Sequence, residues 1–170
     1  MPDLAALPES PRYAYGRRLI ALLQCDPDLG PYVYPELYAS KQQDKDIKIA
    51  ADGNDGVVLV IPENMTNTTA REKDIREARM DCTYVIACAV WHGTGLDTDG
   101  ITADDATDRL AALVISLVQG MTEENNSPAC PSIVSAGELA IELGAQEVLY
   151  TRGIIVTKTL HYPAITLQPE

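Results

Sequence analysis

The chain has 170 residues, 46% of them hydrophobic and 22% charged, which suits one domain with a proper core and is too apolar for global disorder. Its formal charge of -12 argues against nucleic-acid binding as the main activity, because phosphate contacts need a basic footprint. The same charge serves solubility, or an acidic surface that repels DNA passing close by.

At the start, Met1-Pro2-Asp3 lacks the basic and apolar regions of a signal peptide, so the chain is expected in the cytoplasm when made. Residues 1–9 read as a loose or docking arm. Ser10-Pro11 then opens a helix, with Ser as N-cap and Pro at the first helical position, running to about Gln24. Tyr15, Leu19, Leu22 and Leu23 form its apolar stripe, with Ile20 near the edge. Asp26-Pro27 and Gly30-Pro31 end it and lead into a Tyr/Pro-rich connection over 32–38.

Residues 41–46 are polar, Ile47-Lys48-Ile49 reads as a short strand, and Gly53-Asn54-Asp55-Gly56 is a strong turn signal. The β-branched run 57–61 is expected as a buried strand closed by Pro62, pairing with 47–49 as a hairpin. Residues 63–69 look loop-like. Arg71, Lys73, Arg76 and Arg79 alternate with Glu72, Asp74 and Glu77 in a protruding element, either a short solvated helix or the exposed half of a long hairpin.

Over 82–91, Cys82, Tyr84, Ile86, Cys88 and Val90 share one face, and Thr83, Val85, Ala87, Ala89 and Trp91 the other. Both faces are apolar, so the strand belongs at the centre of a sheet or is covered on each side. Thr102 and Asp105 resemble a capping box, and Asp104, Asp105 and Asp108 complement the helix dipole. The stripe Leu110, Leu113, Val114, Leu117, Val118, Met121 predicts a core-facing helix over 103–121. After a polar loop at 123–131, residues 138–143, 147–150 and 154–162 are strand-like, with Gly144-Ala145 and Arg152-Gly153 as turn or bulge points. The expected fold is a single α+β domain, with a mainly antiparallel or mixed sheet flanked by two principal helices and a protruding hairpin.

Chemistry is sparse. The loop 93–100 fails as a dinucleotide fingerprint, because Thr98 stands where the third glycine is needed. It fails as a calcium loop too: with Gly100 at the turn position, Gly95 and Ala106 fall where carboxylates are required. Asp97 and Asp99 leave a weak cation site. The only histidines, His92 and His161, have no metal-ligand spacing. Cys82 and Cys88 share a face roughly 20 Å apart, so they cannot pair, and all four cysteines (with Cys25 and Cys130) read as buried reduced thiols. A Cys88–His161 nucleophile pair is conceivable only through the fold. No cofactor is expected, and no apolar run approaches the roughly 18 residues that cross a bilayer.

The order of elements is a starting helix, a Val-rich strand ending in Pro62, a long strand to Trp91, one long helix, and strands with Arg152 before 154–162. It resembles the tail terminator (tail completion) proteins of long-tailed bacteriophages. The resemblance spans most of the chain and lies in element order and length. It implies a non-enzymatic structural protein forming a homo-hexameric ring at the head-proximal end of a tail tube. Such a ring stops tube polymerisation and joins tail to neck, in the host cytoplasm during assembly and then in the virion. The implied partners are tail tube protein, a neck or head-tail connector protein and possibly sheath, with DNA passing through the lumen unbound. The family's protruding hairpin would place 63–79 at a subunit interface, and Arg71, Lys73, Arg76, Arg79 and Arg152 are its candidate residues. The long 1–9 arm, the extended 26–46 connection and the Phe-free composition depart from the family pattern. Another connector or neck ring is one alternative, and a small ligand-binding or enzymatic domain using 93–100 is another.

Overall fold

The computed structural model describes residues 6–38, 54–67, 77–91, 102–125, 132–138 and 149–163. Outside these lie residues 1–5 of the arm, the proposed strand at 47–49, Arg71, Lys73 and Arg76, the loop 93–100 with Asp97 and Asp99, His92, Cys130 and the run 139–148.

Helix α1 (Pro11–Gln24) begins where the Ser-Pro signal puts it, with the Ser10 hydroxyl accepting from the Tyr13 amide. Tyr15, Leu19, Ile20 and Leu23 are buried. The Asp26 carboxylate then accepts from the amides of Asp28 and Leu29 and turns the chain into a single 3-10 turn, Gly30–Tyr32. Five strands follow: β1 (Val33–Leu37), β2 (Gly56–Asn67), β3 (Glu77–Trp91), β4 (Ser132–Glu138) and β5 (Leu149–Pro163), with helix α2 (Ala103–Asn125) between β3 and β4. They form one mixed sheet of order β1-β2-β3-β5-β4, in which only β1 pairs in parallel. The α+β architecture and the central position of the 82–91 strand are as the sequence pattern predicts.

Four local expectations need correction. Residues 33–37 form the edge strand β1; Pro35 is tolerated there because an edge strand need not use every amide. Pro62 does not close β2, since a register shift between Pro62 and Met65 absorbs the missing donor and the strand continues to Asn67. Arg152-Gly153 is no turn: both residues sit in register inside β5, opposite Cys88 and Ala87. The C-terminal strands also differ, with β4 at 132–138 and β5 running unbroken through 149–163.

Both helices cover the same side of the sheet. Leu19, Ile20 and Leu23 of α1 and Leu110, Val114 and Val118 of α2 pack on Val58, Val60, Tyr84, Ile86, Cys88, Val90, Ile154 and Val156. The stripe predicted for α2 is thus the core stripe. Where α1 crosses the sheet, Gly16 brings the backbones close; a Cβ there would stand 2.7 Å from a Leu37 methyl and 3.3 Å from the Tyr84 ring. The opposite side of the sheet carries a second apolar cluster, Tyr38, Val57, Leu59, Ala87, Ala89 and Trp91, all buried. Cys82 and Cys88 are buried as expected, whereas Cys25 is exposed, because it falls at the C-cap on the outer face of α1.

Candidate functional site

The two ends of the sheet differ in character. At one end, β2 is buried from Gly56 to Val60 and emerges beyond Pro62, so that residues 63–67 are exposed while Met65, Thr66 and Asn67 stay paired with β3. On the other side of β3, β5 runs alongside to the same end, pairing Arg79 with His161 and Glu77 with Pro163. Here Met65 is 45% exposed, with the Tyr162 hydroxyl 3.4 Å from its sulfur. Arg79 and His161 are exposed as well.

The start of α1 is pinned to this end. Tyr84 donates from its hydroxyl to the Arg12 carbonyl at 2.6 Å, and the Arg12 guanidinium donates to the Glu63 carbonyl. Burial raises the pKa of the Tyr84 phenol, which therefore stays a neutral donor at physiological pH. Beside it, Lys158 is buried with its ammonium 5.5 Å from the centre of the Tyr15 ring, a cation–π geometry. Arg12 stands 6.0 Å from the Tyr13 ring centre. Tyr13, Arg17 and Arg18 form the outward face of α1, with Arg17 ion-paired to Glu9.

At the other end lies a cleft of about 220 Å³, lined by Asp28 and Tyr32 after α1, Asp55 and Gly56 at the start of β2, Val90, and Arg109, Leu110 and Leu113 of α2. Gly56 keeps this corner open and the strands in contact, since a Cβ there would stand 2.9 Å from the Ala89 carbonyl oxygen. Close by, Arg152 reaches from β5 to the first turns of α2 and bonds Asp104 and Asp108, both at 2.7 Å. Burial opposes the Arg152 charge, but the two aspartates outweigh it and hold its pKa above the ordinary value. This fork ties α2 to the sheet where the helix dipole is positive and carboxylates are favoured.

Of the candidate interface residues, the structure therefore places Arg79 and Arg152 at opposite ends of the β3–β5 ladder, nine residues or about 30 Å apart along the strand. Arg79 is exposed and Arg152 is engaged within the chain. The same spacing separates Cys88, which pairs with Arg152, from His161, and rules out a thiol–imidazole pair between them. Among the described residues no group of three or more His, Cys, Asp or Glu side chains could hold a metal, and no helix is long and apolar enough to cross a membrane. Sequence reasoning missed Asp28 and Asp55, which only the fold brings to one cleft. The outward Tyr13, Arg17 and Arg18 face was there to be read, on the side of α1 away from Leu19 and Leu23. No family model and no curated protein matches the chain.

Proposed function

We propose that the chain is a structural ring subunit of the tail-terminator kind, ending tail-tube growth and joining tube to neck, with no catalytic role. The observation that carries this reading is the exposed end of the sheet. Residues 63–67 leave the core, yet Met65, Thr66 and Asn67 stay paired with β3, which suits a stiff element offered to another protein. A free loop would lose more entropy on binding than such a paired strand. The Arg12, Tyr84 and Arg152 side chains are spent on holding elements together, which favours a scaffold. The charge of -12 suits a lumen through which DNA slides without being held. Assembly would take place in the host cytoplasm, and the ring would then remain in the virion.

The test is the mass of the purified protein, alone and with tail-tube protein, together with negative-stain images. Closed rings about 100 Å or less across, a size set by domains of this length, that cap tube protein are the expected result. Monomer alone under both conditions overturns the proposal. Copurification with portal or adaptor in place of tube protein would assign the ring to the neck.

A further inference from the structure

The cleft and the outer face of α1 are complementary in charge, and they lie on different parts of the molecule. The cleft floor is apolar, formed by Val90, Leu110 and Leu113, with Tyr32 as a wall. Its rim carries Asp28, Asp55 and Arg109, and Arg109 is already paired with Asp105 at 2.9 Å. Among the described residues Asp28 and Asp55 are in no ion pair, so within that set the rim has two uncompensated carboxylates. An apolar floor under an acidic rim selects a side chain with an apolar body and a cationic tip.

Helix α1 presents such side chains. Its sequence holds Arg12, Arg17 and Arg18 and no acidic residue, in a chain of charge -12. Glu9 answers only Arg17. Tyr13 is 45% exposed beside these arginines. Tyrosine and arginine are the residues that most often anchor protein interfaces, because they bury large flat surfaces with few rotors to freeze. Tyr13 also stands about 18 Å along the helix from the C-cap that leads into the cleft, at 1.5 Å per residue, so a chain cannot fill its own cleft with it.

We infer that the cleft receives the Tyr13, Arg17 and Arg18 face of α1 from a second copy of this chain. Because donor and acceptor surfaces differ, the contact is heterologous, and repetition closes into a ring where the rotation allows it. The inference rests on the ring reading for its biological setting, and its test separates the two.

Three full-length charge-reversal variants come first: one with Asp28→Lys and Asp55→Lys, one with Arg17→Glu and Arg18→Glu, and one with all four changes. Each is checked for an unchanged melting transition and weighed by light scattering or sedimentation. The expected result is a closed wild-type oligomer larger than a dimer, with each two-site variant monomeric at concentrations tenfold above those at which the wild type assembles. The chain with all four reversals regains the oligomer. Mixing the two two-site variants restores assembly with the two chains alternating, because each α1 face then meets a cleft of opposite charge. Pairing a chain altered only by Tyr13→Ala, Arg17→Ala and Arg18→Ala with one altered only by Asp28→Ala and Asp55→Ala gives a one-to-one dimer that grows no further.

A wild-type ring that survives both reversals overturns the cleft contact and leaves the ring reading standing. A wild-type dimer that both reversals break keeps the cleft contact and overturns the ring. A wild-type monomer overturns both.

Discussion

Cys88 is buried in the core on the helix-covered side of the sheet, and burial pushes its pKa from 9.0 up to about 12. Cys82 is raised as well, chiefly by burial, while Cys25 lies exposed. Alkylation under native conditions followed by peptide mapping should therefore label Cys25 and spare Cys82 and Cys88 until the chain is unfolded. The folded state keeps the Cys88 proton to higher pH than the unfolded state does. Its contribution is complete below pH 9, declines above it, and is lost as pH rises through about 12. Urea denaturation midpoints should hold steady through neutral pH and fall above pH 9, with a slope of at most about 1.4 kcal/mol per pH unit from this group. A second residue-scale prediction concerns Arg152. Its side chain is only 17% exposed, although Asp104 and Asp108 are about half exposed and partly screened. Arg152→Ala should cost about 1–2 kcal/mol in urea denaturation, and Arg152→Lys should recover only part because it cannot fork across two carboxylates.

The helices and the central strand could be read from the sequence because their signals are local. Ser10 with Pro11, and Thr102 with Asp105, fix the helix starts through contacts three residues apart, and the observed bond from the Asp105 amide to the Thr102 hydroxyl measures 3.2 Å. Replacing Thr102 by alanine should lower stability by about 1 kcal/mol in thermal or urea unfolding, the usual worth of an N-cap. The edges were not legible for the opposite reason. β1 holds a proline and β4 shows almost no buried side chain, so neither offers the apolar alternation that marks a strand; each exists because a neighbour supplies the hydrogen bonds. Arg152-Gly153 has the composition of a turn, yet Gly153 lies between Ala87 and Gly137 in a continuous ladder. Tertiary pairing overrode local preference there. The site follows the same division: the α1 face obeys helical periodicity, whereas Asp28 and Asp55 meet only through the fold.

On the scale of the whole molecule, stability and assembly should separate. The buried clusters lie on both sides of the sheet, the larger one under the helices, while Met65 and Arg79 stand at the exposed sheet end. Met65→Ser together with Arg79→Glu should lower the unfolding free energy by about 1 kcal/mol or less, the ordinary range of point changes outside the core. If the sheet end seats on a partner, the same variant should lose capture by tail-tube protein in a pull-down. Unchanged capture would assign the contact to another surface.

The pairing of β3 with β5 has a further consequence, for the time at which the chain becomes a folded object. Glu77 meets Pro163 and Trp91 meets Leu149, so the central strand takes one of its two neighbours from a segment made long after it. Contacts of such long sequence separation slow folding, because the intervening chain must be ordered before they form. On the ribosome, β2 and β3 can pair early, but their other flank stays open until β5 has emerged. If the chain forms a ring, its assembly from half-made chains is thereby discouraged, and the open flank of β3 is the place where a stalled or truncated product would aggregate.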